Sequence, residues 1–340
     1  MMELSIPEKQ IISCLAWFRT RYALFLELDL NRPASKESLE SFGQFWIGAL
    51  RADWSESFES LVSKGVLTFQ ENGYDFTEKG NQLKQAVESE TPFFKYEYDN
   101  FFRLEQNSQA HQQFCRQVYG NDLSQHGLTD QQELELLIDK MKKRSFKNIL
   151  DIGCGNGKIT EYLSTQIQGR FTGIDISAEG IKAANQRTLK KQNLHFQTGN
   201  MNNLNFYKSY DAILFLDTLY YANDIQPLIK SCLAALNPNG RIFAYFSNWI
   251  IDVEYADNLK PDNTGLAKVL NSLGASYQFE DLTDSGLRHW KRKWEVLEMM
   301  KPLFVAEGNK FLWEYRYREA KRYANWGNDK YTRYLYEISK

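Results

Sequence analysis

From Lys147 onward, short apolar runs rich in β-branched and aromatic residues alternate with stretches of helical spacing. NILDIG, FTGIDI, LHFQTGN, DAILFLD, RIFAYFS and SYQFEDL each read as a strand, and YTRYLYEI near the C-terminus supplies a last alternating one. Helices are predicted through Leu163, over AEGIKAANQRTLKK, through Leu236, over LAKVLNSLG, and from Gly286 to about Trp326. Strand-then-helix alternation implies a doubly wound parallel sheet of α/β class, with ligands at the carboxyl ends of the strands.

Upstream, the apolar positions Ile11, Ile12, Leu15, Ala16, Phe18, Tyr22, Leu24 and Phe25 predict one long helix from Ile6 to Leu30, ended by Asn31 and Pro33. SKESLESFGQF reads as a capped helix, and ADWSESFESLVSKGVL as a further single helix with Gly65 near its end. TFQENGYDFT reads as two short strands joined at Asn72 and Gly73. Residues 96–145 read as helical, with breaks at Gly120–Asn121 and near Gly127. This pattern divides the chain into residues 1–95, a helical connector over 96–145, and an α/β domain over 146–340 with a helical insertion at about 284–328.

Helix, helix, helix and hairpin together resemble a winged helix, a fold used both to bind DNA and to dimerise small-molecule O-methyltransferases. Residues 1–95 hold ten Lys/Arg against fourteen Asp/Glu, and a net charge of −4 suits phosphate backbones poorly. The resemblance therefore implies dimerisation, with a homodimer as partner, or capping of a site. The whole chain is also near neutral, at −2, so no global positive field draws in a polyanion. A length of 340 residues with 43% hydrophobic content allows about two domains with sizeable cores. Aromatics reach 14%, which serves either aromatic-lined cavities or extra core packing.

Cys14, Cys115, Cys154 and Cys232 show no CxxC or Cys/His ligand spacing, so no metal site is expected and the thiols read as reduced. Charges at Arg19, Arg21, Glu27 and Asp29 interrupt the apolar N-terminal stretch as a signal or membrane segment. No membrane partner and a cytoplasmic location are expected.

The most informative stretch is NILDIGCGNGKITEYL, Asn148 to Leu163. Glycines after a strand let backbone approach a ligand closely. A dinucleotide fingerprint would need a small residue at position 158, where Lys158 stands. ILDIGCGNG, with its D-x-G-x-G-x-G spacing, resembles the first motif of class I S-adenosylmethionine-dependent methyltransferases, and the resemblance runs through most of residues 147–250.

That resemblance implies a Rossmann-like seven-stranded sheet and S-adenosylmethionine as cofactor, with S-adenosylhomocysteine as product. Asp151, Gly153, Gly155 and Gly157 then form the cofactor loop. Asp175, twenty-four residues after Asp151, would accept the ribose hydroxyls, although with Ser177 close behind it could equally be a helix cap. Ile176 would lie against adenine, and Asn200 with Met201 would take the place of the usual acidic residue after the third strand. Asp217 and Thr218 would line the methionine moiety. EYDNFFRLEQNSQAHQQFCRQVYGNDLSQHG resembles the segment that precedes this motif in bacterial small-molecule methyltransferases and folds over the cofactor. Tyr119, Gln125 and His126 are its candidates, with ordinary helix packing and a solvated His as the alternative.

Methyl transfer from a sulfonium is an in-line displacement that asks for alignment and exclusion of water. A base is needed only where the accepting atom keeps a proton, and Asp217, Tyr220, Tyr221 and His289 are the candidates. For Tyr220 and Tyr221 the milder role is an aromatic face beside a cation. The basic run from Arg288 to Lys293, interleaved with Trp290 and Trp294, suggests an anionic substrate or RNA on one reading and a solvated helix face on the other, and Glu295 and Glu298 immediately after favour the solvated face. Signs of base methylation, an Asn-Pro-Pro-Tyr-type element or a nucleophilic Cys after the fourth strand, are missing. The expected function is transfer of a methyl group to O or N of a small molecule. An RNA methyltransferase and a cofactor-sensing, DNA-binding regulator are the rivals.

Overall fold

The computed structural model describes residues 3–25, 34–206 and 209–340. It forms two compact units, residues 1–103 and 104–340.

The first unit carries helices α1 (Ile6–Phe25), α2 (Lys36–Ile47), α3 (Arg51–Trp54) and α4 (Ser57–Ser63), a hairpin of β1 (Leu67–Gln70) and β2 (Gly73–Phe76), then α5 (Glu78–Glu90) and most of α6 (Phe93–Glu105). The expected end of α1 at Asn31 and Pro33 lies outside the described residues. Helix α2 begins where Ser35 Oγ accepts the Ser38 N–H at 3.2 Å and ends at Gly48 in the left-handed region, φ 65°, as local signals for a start and a stop require. Two expectations need correction. ADWSESFESLVSKGVL is two short helices, because the chain turns between Trp54 and Ser57 and buries Trp54, Phe58 and Leu61 together. The hairpin turns at Glu71–Asn72, both with positive φ, and Gly73 instead opens β2, opposite Gln70; two left-handed residues match the twist of the flanking strands.

The second unit opens with α7 (Gln109–Tyr119) and α8 (Gln131–Lys142). It continues β3 (Asn148–Ile152), α9 (Lys158–Gln166), β4 (Arg170–Asp175), α10 (Ala178–Thr188), β5 (Leu194–Thr198), β6 (Tyr210–Leu216), α11 (Ile225–Ala235), β7 (Leu236–Trp249), α12 (Gly265–Ser272) and β8 (Ser276–Asp281). Helices α13 (Thr283–Ala306) and α14 (Lys310–Tyr323) then precede β9 (Tyr331–Ser339). The sheet order is β5-β4-β3-β6-β7-β9-β8. The first five strands are parallel, as expected, whereas β9 runs antiparallel to both β7 and β8. The sheet is therefore mixed rather than wholly parallel. The seven strands and flanking helices make a Rossmann-like fold.

Alternation along β6 shows how the core is built. Ala212, Leu214 and Leu216 point to one face, against Leu134, Leu137, Ile138 and Met141 of α8. Ile213 and Phe215 point to the other, with Leu228, Ile229 and Cys232 of α11 and Leu266 and Leu270 of α12. Both faces are covered, so the strand reads as one continuous apolar run.

Gly173 on β4 is where the sheet meets the loop after β3. A Cβ there would stand 2.5 Å from Phe196 and 2.7 Å from Cys154 Sγ. Gly173→Ala should cost about 1–3 kcal/mol through overpacking, read as a lower denaturation midpoint with unchanged slope in guanidinium.

Candidate active site

Three successive glycines in the loop after β3 take positive φ, 84° at Gly153, 58° at Gly155 and 73° at Gly157. Side chains rarely adopt that region. A Cβ on Gly153 would also collide with Thr218, so the loop lies tightly on the end of β6. Its backbone is tied to β4: the Gly153 and Cys154 N–H groups donate to the Ile174 carbonyl at 2.7 and 3.1 Å, and Gly155 N–H donates to Asp175 Oδ2 at 2.7 Å. Asp175 Oδ1 accepts from Ser177 N–H at 2.8 Å, while Ser177 itself caps α10 by accepting from Gly180. Asp175 thus braces the loop, and Ser177 is the helix cap.

Asn156 and Lys158 fasten the connector to this loop. Glu105, buried, accepts from Asn156 Nδ2 at 2.8 Å and from Ser124 Oγ at 2.7 Å. Lys158 Nζ donates to Ser124 Oγ at 2.6 Å and lies 3.7 Å from Asp122. The residue that excluded a dinucleotide fingerprint is therefore a clamp on the segment before the motif.

Asp151 ends this arrangement from below. It is 1% exposed, and Oδ2 accepts from Thr160 Oγ1 at 2.6 Å, but Oδ1 is buried with no hydrogen-bond partner. Burial pushes its pKa up to about 7, against one lowering bond from Thr160. A buried acceptor left open beneath a bare glycine turn is what an incoming cationic or N–H group would satisfy. Ile176, Asn200 and Met201 stand half-buried at the carboxyl ends of β4 and β5, where Asp175 lies opposite Thr198. Asn200 Oδ1 accepts from Asn202 N–H at 3.0 Å, starting a short turn of helix.

Asp217 is the most heavily bonded carboxylate of the region. It holds φ 61°, and Oδ2 accepts from the Leu128 and Thr129 N–H groups at 2.8 and 3.0 Å and from Thr129 Oγ1 at 2.9 Å. Arg333 of β9 donates to Asp217 Oδ1 at 2.5 Å and Oδ2 at 3.1 Å, and to Glu133 at 2.9 and 2.7 Å. Burial works against the Asp217 charge, but the Arg333 charge and bonds outweigh it and hold the pKa below its ordinary value. Burial dominates at Glu133 and, despite Arg333, raises it to about 7. The Asp217 side chain is thus a structural tie, which corrects its reading as a base.

The other candidates are similarly placed. Tyr119 donates to the Gly127 carbonyl at 2.9 Å and rests on the His289 ring, centroids 4.9 Å apart. Gln125 spends its amide on Asn121 and the Leu123 N–H. His126 stacks on Tyr315 rather than standing in solvent. Tyr220 accepts from Ser247 N–H at 2.7 Å and stacks on Phe246, while Tyr221 is half-buried in the adjoining turn. His289 is 5% exposed, its Nε2 has no hydrogen-bond partner, and burial with nearby Lys293 keeps it neutral. Of the basic run, Arg288, Lys291 and Arg292 are exposed, but Trp290 and Lys293 are buried. The reading of that run as a solvated face is corrected for those two.

The structure thus gathers Asp151, Gly153, Gly155, Gly157 and Asp175 at one turn, with Ile176, Asn200 and Met201 on the neighbouring strand ends. Asp217, Tyr119, Tyr220 and His289 collect toward β6, β7 and α13. Sequence reasoning missed Arg333, Glu133, Glu105 and Lys158 as site-building residues. Only Arg333 left a signal, a charge at an inward position of an alternating strand. Among the described residues no group of three or more His, Cys, Asp or Glu could hold a metal ion. Also among them, no helix is long and apolar enough to cross a membrane.

Residues 149–240 match the family model described as a methyltransferase domain. That stretch is similar to methyltransferase domains over about a quarter of the chain, from β3 to the start of β7. The chain is 31% identical over 129 residues to a ubiquinone biosynthesis O-methyltransferase of Coxiella burnetii, covering 35% of this chain and 54% of that one. The chain spans about half the length of the curated relatives it matches. Among solved structures, phosphoethanolamine N-methyltransferase 2 of Haemonchus contortus superposes with TM-score 0.56 at 14% identity, over 71% of this chain and 59% of that one. A coclaurine N-methyltransferase superposes with TM-score 0.51 at 12% identity, over 89% and 99%. At these identities the likeness to both methyltransferases is one of fold.

Arg333→Met leaves two buried carboxylates of the second unit, Glu133 and Asp217, without their counter-ion. It should cost about 3–5 kcal/mol, measured by chemical denaturation. Asp151 sets a pH dependence. Its folded pKa lies above its ordinary 3.8, so its stabilisation is full below about pH 4 and is lost as pH rises through about 7. The melting temperature of the wild type should fall across that window more steeply than that of Asp151→Asn, followed by scanning calorimetry from pH 4 to 8.

Proposed function

We propose that the protein is an S-adenosylmethionine-dependent methyltransferase that methylates O or N of a small molecule. The observation that carries the reading is the turn Gly153–Gly157, held open in the left-handed region and braced by Asp175, above an unsatisfied buried oxygen of Asp151. Those residues fit the cofactor: the bare backbone admits its amino-acid tail, Asp151 offers an acceptor, and Asp175 can accept more than one bond on each oxygen. When bound, the cofactor supplies an electrophilic methyl group on a sulfonium.

The chain's own part is to hold, orient and keep dry. Glu105, Lys158 and Asp217 fasten the connector over the strand ends, which excludes water from the transfer line. Ile176, Asn200 and Met201 form the adenine side. His289, neutral and open at Nε2, is placed to take the proton of a hydroxyl or ammonium acceptor. Tyr220 and Tyr221 give aromatic surface beside the reacting cation. The first unit serves dimerisation or capping. The four cysteines, all unpaired, accord with a reducing, cytoplasmic setting.

Calorimetric titration of S-adenosylhomocysteine tests the reading. Asp175→Ala should weaken binding roughly 10-fold or more, since a charged acceptor is lost, and Gly155→Val should abolish it. Unchanged affinity in both variants would falsify the assignment.

A further inference from the structure

Helix α13 turns one face toward the start of β9, where a Cβ on Gly286 would meet Tyr331 and Trp290 meets the same ring, and that face is chemically unusual. Trp290 is 2% exposed and its Nε1–H is buried with no hydrogen-bond partner. Lys293, three residues on and 1% exposed, brings an ammonium into the same place. Its one hydrogen bond is to Glu319 Oε2 at 3.5 Å, the outer limit for such a bond, and its Nζ sits 4.8 Å from the Trp290 ring. An ammonium has three donors and an indole one, so donors outnumber acceptors here. Donors left unsatisfied in a buried place are costly unless a ligand answers them.

The surroundings show which ligand. Trp290 meets the rings of Tyr323 and Tyr331 at 5.0 and 6.5 Å, and Trp249, at the end of β7, meets the same two at 6.0 and 5.9 Å. Trp249 Nε1 is a further buried donor without a partner. Tyr331 is tied to Ser247 of β7 at 3.1 Å, which fixes this aromatic group over the strand ends. Aromatic walls with indole and ammonium donors suit a flat ligand bearing an anionic oxygen. A cationic amine would meet the like charge of Lys293 and compete with it for Glu319.

We infer that the inward face of α13 is the recognition site for a carboxylate on the methyl acceptor, bound by Lys293 Nζ and Trp290 Nε1–H. The substrate class is then an acidic, planar small molecule. His289 precedes Lys293 by one helical turn on the same face, about 6 Å along the axis at 1.5 Å per residue, and adjoins Trp290, so the methylated atom and the acidic group lie along one stretch of this helix. The inference deepens the methyl-transfer reading and rests on it.

The test titrates the full chain, loaded with S-adenosylhomocysteine, with benzoate, benzamide and benzylamine. Benzoate should bind saturably and at least roughly 10-fold tighter than the neutral and cationic isosteres, as expected for a charge-assisted pair. Trp290→Phe keeps an aromatic six-membered ring and removes the pyrrole ring with its N–H, and Lys293→Met keeps the apolar stem. Each should weaken benzoate roughly 10-fold while leaving S-adenosylhomocysteine affinity intact. If Lys293→Met does not fold, Trp290→Phe decides alone. Equal binding of benzoate and benzamide, preference for benzylamine, no saturable benzoate binding, or benzoate affinity retained in the folded variants overturns the inference. Failure of S-adenosylhomocysteine to bind the wild type sinks the methyl-transfer reading instead, and benzoate titrated into the unloaded chain still reads this one.

Discussion

Arg333 carries a full charge into the middle of the α/β unit, and the arrangement of the acceptor side follows from how that charge is answered. It sits on the last strand, with no exposed surface, and answers two carboxylates that come from opposite ends of the fold: Glu133 on the helix before the sheet and Asp217 at the tip of β6. Neither carboxylate is tolerable there alone, since removing one partner of a buried pair leaves an uncompensated charge. The cost of burying the group is met only when β9, β6 and the 127–130 turn are all in place. Asp217 can then hold a backbone conformation that a non-glycine residue otherwise avoids. That conformation directs the chain into the turn bearing Tyr220 and Tyr221.

The glycine loop shows the complementary device. There the backbone itself is left bare, and side chains are absent because Thr218 and Phe196 occupy the space a Cβ would need at Gly153 and Gly157. Asp175 contributes twice, by bracing Gly155 N–H and by accepting from Ser177 N–H at the start of α10. Loop and carboxylate are consequently one construction, and the connector is bolted to both through Glu105, Asn156, Ser124 and Lys158.

What was legible in the sequence was local. Strand-helix alternation from Lys147 follows from periodicity within each segment, and the turn after β3 follows from Gly153, Gly155 and Gly157, directly past the strand's end at Ile152. The parts that were not legible depend on partners far along the chain. Arg333 meets Asp217 and Glu133 across separations of 116 and 200 residues, and nothing in YTRYLYEI says which carboxylates will stand opposite. The antiparallel setting of β9 is equally non-local, because two long helices intervene and the strand's own pattern is indifferent to direction. The basic run over 288–293 misleads for the same reason: half of a helical stretch can face water while the other half turns inward, and composition averages the two. The break between Trp54 and Ser57 was missed because both short helices share one apolar spacing, so the pattern continues across a turn that tertiary packing makes.

The helical insertion explains why the acceptor is written in no motif. Glu307, just past the end of α13, accepts from Ser108 Oγ and Ala110 N–H at 2.6 and 2.8 Å, so it helps to cap α7. Arg292 donates to the Gln117 carbonyl at 2.6 Å, near the other end of α7. The cover is therefore assembled from segments nearly two hundred residues apart, each fastening the other. The proposed cofactor loop can be spelled in seven consecutive residues because one turn makes it, whereas the proposed acceptor site, which draws on α13 and the strand ends, exists only after the chain has closed. Its chemistry has to be read from which donors are left buried and unanswered once that closure is complete.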